Sequence, residues 1–359
     1  MNFKHILKPG SVLLTALFLT APEEAYGQDA AAVKTQSHPG KQAISNASPS
    51  EEEMKELKML QQLIAAGGDI NQEDEAGWTP LHTVAYKGHG ECVKRLLATP
   101  GIDVNRANEN GNTPLILAAK AGHTECVKLL LAAQKIDIYK VEEDGYAPLC
   151  GVALGVKKMD ENEEPYWVVS SANSANHHGN TALHCAAAQG HTEIVRLLIE
   201  APGIDINKAN GWRGLSIPGC GWGYLAQNYT PLLLATVNGQ VECVKLLLST
   251  PGIYVNWVNS HGETALHLAV KYKPEGNSEC VKLLLAAPGI DVNMADKDDT
   301  TPLFWAAMTG QVECVKLLLA APGIDVNKAN GDGKTPLKVA TERGHTACEE
   351  LIRAAGGEM

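Results

Sequence analysis

Apolar positions in this chain come in short bursts at helical spacing, separated by residues that favour turns. In Thr113–Ala133 a Thr-Pro pair precedes Leu115, Leu117, Ala118 and Ala119; Gly122 follows, and then Cys126, Val127, Leu130 and Leu131 form a second burst. The pattern predicts two short helices. Thr is a natural N-cap and Pro suits the first helical position. Gly122 stops the first helix, and the second stripe has helical spacing. A loop such as Pro322–Asn327 then reverses the chain, and Lys328–Gly333 reads as the tip of a hairpin. Neither helix can bury its stripe alone, so the unit must stack on copies of itself.

Those copies are present. Starts occur at Thr79-Pro80-Leu81-His82, Thr113-Pro114-Leu115, Ala147-Pro148-Leu149, Thr181-Ala182-Leu183-His184, Thr230-Pro231-Leu232, Thr264 with His267, Thr301-Pro302-Leu303 and Thr335-Pro336-Leu337. Thr79 to Thr113, Thr230 to Thr264 and Thr301 to Thr335 are each 34 residues apart. With Gly88-His89, Gly190-His191, Val244–Leu248 (VKLLL) and the Gly-x-Asp-Val-Asn loop, the chain resembles the ankyrin-repeat family over residues 50–357. The resemblance implies an all-α repeat solenoid of stacked helix-turn-helix-hairpin units. It also implies recognition of a protein partner through the hairpin tips and the concave face of the first helices. The common period is about 33 residues; the extra residue here falls in the Ala-Pro-Gly-Ile-Asp loop, where it lengthens a turn.

Read in order, residues 1–27 have Lys4 and Lys8, an apolar run Val12–Leu19 and a small-x-small end, as in a secretory signal peptide. The run is shorter than the roughly 20 residues a membrane span needs. Residues 28–49 have the composition of a disordered linker. Residues 50–78 read as an N-terminal capping half-repeat, with Met54, Leu57, Leu60, Leu63 and Ile64 expected on its buried side. The array then fills residues 79–357 with two departures. In the copy at Ala147, Asp160, Glu161, Glu164 and Pro165 fall where Cys126, Val127, Leu130 and Leu131 lie one period earlier. Unpaired buried carboxylates cost too much, so the register must change within residues 157–178. The expectation is an acidic loop over Lys157–Glu164 and a displaced helix near Pro165–Ser171 burying Trp167, Val168 or Val169. The copy at Thr181 carries an insertion, residues 211–228 (GWRGLSIPGCGWGYLAQN), fifteen residues beyond the period. Three further residues fall around Lys273–Gly276.

The formal charge of −11 leaves no basic stripe for nucleic acid or an anionic membrane surface. Six cysteines, Cys92, Cys126, Cys243, Cys280, Cys314 and Cys348, share one position on the second helix, where Ile194 stands in once. They read as small apolar packing, because stacked helices lie too far apart for a ladder of disulfides. Cys150, Cys185 and Cys220 lie off that ladder, and a Cys150–Cys185 bridge is geometrically conceivable. His82, His184 and His267 belong to the repeat start. His177 and His178 lie near Asp160–Glu164, but no ligand spacing supports a metal site. No catalytic motif is present.

The sequence therefore predicts a non-enzymatic scaffold without cofactor or metal, exported to the periplasm or secreted, of bacterial type, acting as a monomer on a protein partner. Candidate contacts are Trp212, Arg213, Trp222 and Tyr224 in the insertion, with Trp78, Trp257 and Tyr229 as exposed hairpin aromatics. Phe304 and Trp305 can face the groove or fill the core. Alternatives are a secreted effector acting on proteins of another cell, or a small-ligand pocket built by residues 157–178 and 211–228. Thr79, Pro80, His82, Thr113, Pro114, Thr181, His184, Thr230, Pro231, Thr264, His267, Thr301, Pro302, Thr335 and Pro336 are the structural motif positions.

Overall fold

A computed structural model describes residues 49–133, 179–210, 228–272 and 277–359, and the backbone of two short strands at 156–159 and 165–168. Two compact units divide the chain near Lys135. In the first, a single helix α1 (Glu51–Ala65) precedes the pairs α2 (Pro80–Lys87) with α3 (Gly90–Leu97) and α4 (Pro114–Ala121) with α5 (Thr124–Ala133). The second holds α6 (Ala182–Gln189) with α7 (Thr192–Ile199), α8 (Pro231–Val237) with α9 (Val241–Leu248), and α10 (Ala265–Lys271) with α11 (Ser278–Leu285). It ends with α12 (Pro302–Thr309) and α13 (Val312–Leu319), then α14 (Pro336–Glu342) and α15 (Thr346–Ala354). Within each unit first helices pack on first helices and second on second. The architecture is an all-α repeat solenoid.

The core consists of repeated layers. Leu81, Val84 and Ala85 of α2 close over Cys92, Val93 and Leu96 of α3, all 0% exposed, and equivalent residues repeat along each unit. The ladder cysteines fill this layer as buried thiols; burial pushes Cys92 and Cys126 up to about 12 and Cys314 to about 11. Thiolates are thus unavailable there at neutral pH.

Three polar ladders join the layers. At the repeat start the His ring accepts from the backbone N–H of its own N-cap Thr: Thr79 N to His82 Nδ1 is 3.1 Å. Its Nε2 reaches the carbonyl just before the next start, as in His82 to Asn112 O at 3.0 Å, His184 to Tyr229 O at 3.1 Å and His267 to Thr300 O at 3.0 Å. Because Nδ1 accepts, Nε2 carries the proton and donates. The second ladder runs backwards. His123 Nε2 meets Tyr86 O at 2.9 Å, His345 Nε2 meets Met308 O at 3.1 Å, and Gln240 donates to Ala188 O at 3.2 Å. These carbonyls lie at the ends of first helices, where no intrahelical donor exists. Gly88 turns the chain at φ +79 and leaves room for the His123 ring; a Cβ there would come within 2.4 Å of it. In the third ladder, the loop Asn clamps the following loop twice. Asn256 Nδ2 donates to Gly289 O at 2.8 Å while its Oδ1 accepts from Asp291 N at 3.0 Å, and Asn71, Asn207, Asn293 and Asn327 repeat the arrangement.

Two expectations change. First, α1 turns differently: Met54 is 42% exposed, and Glu53 and Glu56 are buried beside Leu60 and Leu63. Glu53 Oε1 accepts from Glu91 N at 2.8 Å, in the first turn of α3, where a carboxylate is favourable. Glu56 meets Lys87 Nζ at 2.8 Å and His89 Nδ1 at 2.6 Å. Burial pushes the Glu56 carboxyl up, but its bonds to His89 and Lys87 outweigh this and hold it below the usual range. Second, the displaced helix near Pro165–Ser171 is replaced by a strand. Val156–Met159 pairs antiparallel with Pro165–Val168, with Val156 opposite Val168 and Lys157 opposite Trp167. Val, Tyr and Trp favour extended backbone, and Pro at the first strand position removes a donor that position can spare. Lys157–Met159 is accordingly strand and not loop.

Candidate functional site

The insertion leaves the repeat frame intact. In an ordinary hairpin, Asn108 N donates to Asn112 O at 3.0 Å while Asn108 Oδ1 accepts from Asn112 N at 3.0 Å. In the enlarged hairpin Asn210 N donates to Tyr229 O at 2.8 Å, and Asn210 Oδ1 accepts from Tyr229 N at 2.7 Å. The same closure thus spans 19 positions in place of 4, and the fifteen additional residues enter and leave at one hairpin tip. Asn228, the last residue before this closure, has φ +57 where Gly77, Gly111 and Gly262 stand in other tips. Asn is among the few non-glycine residues that adopt this conformation readily.

A second departure meets the first at that foot. The loop of the next copy reads Tyr254-Val255-Asn256-Trp257, where its counterpart reads Asp103-Val104-Asn105-Arg106. Trp257 Nε1 donates to Asn228 O at 3.1 Å, and Asn228 Nδ2 donates to Val258 O at 3.2 Å. Tyr254 stacks on Trp257 with ring centroids 6.4 Å apart and planes within 4°. Tyr254 is 59% exposed, against single-digit exposure for core aromatics, and a shallow hollow of about 380 Å³ lies along Ile253–Trp257. An amphipathic ring pair held by a backbone bond is a low-entropy anchor for a partner surface.

Of the sequence candidates, Trp257 belongs to this step. Trp78 does not reach a surface. It is 1% exposed, packed edge-to-face on Tyr86 at 5.8 Å, because the residue before the N-cap folds back over its own first helix. Tyr229 is likewise buried at 9%, its carbonyl engaged by His184. Phe304 is buried at 4%, whereas Trp305 is half-buried and keeps its indole N–H on Asp296 Oδ2 at 2.8 Å. Trp212, Arg213, Trp222 and Tyr224 lie outside the described residues, as do Cys150, Cys220, His177 and His178. The Thr positions of the motif cap first helices, and Pro80, Pro114, Pro231, Pro302 and Pro336 open them. No group of three or more His, Cys, Asp or Glu among the described residues is arranged to hold a metal, and none of the described helices is long and apolar enough to cross a membrane.

Sequence reading missed Tyr254, although alignment of the copies against one another carries the signal. It also gave the loop Asn no role, since only geometry reveals the double clamp.

Comparison with known proteins agrees with this construction. The family model described as Ankyrin repeats (3 copies) matches residues 51–142, 214–296 and 273–358, and the single Ankyrin repeat model matches 178–211. No curated protein matches. Among solved structures, the ankyrin repeat domain of Bcl-3, a member of the IkappaB protein family, is 25% identical with a TM-score of 0.55; the match covers 78% of this chain and 100% of that domain. The matched repeats span well over half of the sequence, and the chain belongs to the ankyrin-repeat family.

Proposed function

We propose that the protein is a non-enzymatic, exported scaffold that binds a protein partner through the Tyr254–Trp257 step and the insertion whose foot that step holds. The observation that carries this reading is the meeting of the two departures at one point through the Trp257–Asn228 bond. Other copies carry Asp103, Asp205, Asp291 and Asp325 where Tyr254 stands, and Arg106, Lys208, Met294 and Lys328 where Trp257 stands, with no aromatic at either position. The signal-like start, residues 1–27, supports export, and a signal-processed chain would begin at Gln28. Trp212, Arg213, Trp222 and Tyr224 would extend the contact surface. A preformed surface of stacked repeats gives up little conformational entropy on binding. The scaffold acts as a monomer in this reading, with no cofactor, nucleic acid or catalysis.

The test is partner capture from native envelope and secreted extracts, with Gln28–Met359 and with the same chain lacking Arg213–Gln227. That deletion leaves Gly211, Trp212 and Asn228 between Asn210 and Tyr229, restoring the four-position closure of an ordinary tip. The expected result is a specific protein held by the first chain and lost or weakened at least tenfold with the second. A partner held equally by both, and by the Y254S/W257S variant, would contradict the site. Intact residues 1–27 on chain recovered from the producing cell's exported fraction would contradict signal processing.

A further inference from the structure

Between the hairpin tips at 297–299 and 330–332 and residues 304–308 of α12 lies a hollow of about 420 Å³. Phe304, Trp305 and Met308 form its apolar floor, and Asp298, Asp299 and Asp332 stand around it with Lys297. All four charged residues are exposed, and none forms an ion pair with another of the described residues. Two ammonium groups of neighbouring copies are engaged elsewhere. Lys271 binds Glu263 Oε1 at 2.5 Å, and Lys334 binds Glu342 Oε2 at 2.6 Å. The hollow therefore keeps two negative charges more than its own lysine balances.

One of these carboxylates stands where a side chain is costly. Asp299 has φ +55 at the tip position that is Gly77, Gly111, Gly179, Gly262 and Gly333 in other copies. A Cβ at Gly77 or Gly262 would meet the backbone of the next tip, Glu109 N at 2.9 Å or Lys297 N at 3.0 Å. Asp299 faces Gly331 in place of a Glu or Lys, and a Cβ on Gly331 would itself lie 3.6 Å from Asp299 Oδ2. The pair Asp299/Gly331 thus exchanges the small and the charged residue between neighbouring tips. The floor is fixed as well. Trp305 is held by Asp296, and Lys271 Nζ already lies 4.2 Å from its ring centroid, a cation on an electron-rich face.

We propose that this hollow is a docking site for a segment of a partner protein bearing Lys or Arg beside an apolar residue, the apolar group seated on Phe304, Trp305 and Met308 and the cation among Asp298, Asp299 and Asp332. Charge complementarity selects this occupant: three carboxylates around an apolar floor reject an acidic segment and leave a purely apolar one with nothing to satisfy them. The inference rests on the scaffold reading above but concerns a different surface of the same unit.

The test is fluorescence anisotropy of the mature chain with a labelled short peptide alternating Lys with Leu, and with its twin carrying Glu for every Lys. The altered protein is D298N/D299N/D332N; Asn keeps the αL backbone accessible at 299, as Asn228 shows. A charge-matched control is D69N/D103N/D325N, three exposed loop positions whose backbone-bonded Oδ1 atoms survive the change. The site predicts that the Lys peptide binds at least tenfold more tightly than the Glu twin. It predicts a loss of tenfold or more in D298N/D299N/D332N and less than twofold in the control. Equal losses in both variants would mean that the peptide reads net charge, which overturns the proposal, as would no preference for Lys. A W305A chain folded by circular dichroism and binding as tightly as the unaltered one would also overturn it. If peptide binding fails while Gln28–Met359 still captures a partner, this inference falls and the scaffold reading stands.

Discussion

Single residues in this chain hold their state by burial, and the repeat-start histidines show the consequence. Burial lowers His82 and His184 from 6.5 to about 4, and lowers His267 in the same direction. The bonds require this, since each ring accepts at Nδ1 and donates at Nε2, and a protonated ring would turn Nδ1 into a second donor against Thr N–H. For His82 and His184 the unfolded chain takes up the proton near pH 6.5 and the folded chain only near 4. Stability is therefore complete above about pH 6.5 and is lost as pH falls through that window, with a slope of up to about 1.4 kcal/mol per pH unit for each histidine. Urea unfolding at pH 7.5, 6 and 5 checks this. His184→Ala should cost about 1–3 kcal/mol at pH 7.5, by orphaning Thr181 N and leaving Tyr229 O with Asn210 N as one donor in place of two, and should flatten part of the pH slope. A variant as stable as the parent, with the same slope, would remove His184 from the account.

At the scale of elements, helices alone do not make the array; the loop clamps do. Asn256 ties its loop to the turn that follows α11 by two bonds, one given and one accepted. Asn256→Ala removes both and should lower stability by about 1–2 kcal/mol, with amide exchange near Gly289 and Asp291 accelerating first. An exchange pattern unchanged at those two residues would show the clamp to be incidental. Most of this scale was legible beforehand. The Thr caps, the Gly stops and the Cys stripe follow from local rules, and helix starts at Pro80, Pro114, Pro231, Pro302 and Pro336 fall where the motif put them. What escaped depended on partners distant in sequence. Glu56 is buried only because Lys87 and His89 come to it across a helix interface, and no periodicity of α1 reports that. The segment at 165–168 was misjudged because the helical register of its neighbours was extended to residues whose own preference is for strand.

For the whole molecule, regular copies supply the frame, and in the function proposed above irregular positions supply the binding surface. Asn210 and Tyr229 close the enlarged tip as Asn108 and Asn112 close an ordinary one, so the closing bonds of the frame are kept. The exposed Tyr254 and the Asp299/Gly331 exchange occur where a copy departs from its siblings, and each is open to solvent. Self-comparison of copies therefore separates the two roles better than any single motif. Trp78 illustrates the limit: its hairpin location suggested exposure, and packing on Tyr86 decided otherwise.

The measurement that tests this division most directly is amide hydrogen exchange of Gln28–Met359 with and without a captured partner. The account predicts slowed exchange at residues 253–259, and at the tips 297–300 and 330–334 if the acidic hollow is also engaged, while α7, α9, α11 and α13 are unchanged. Protection confined to those second helices, with none at 253–259, would contradict the claim that the departures from the repeat carry the binding surface.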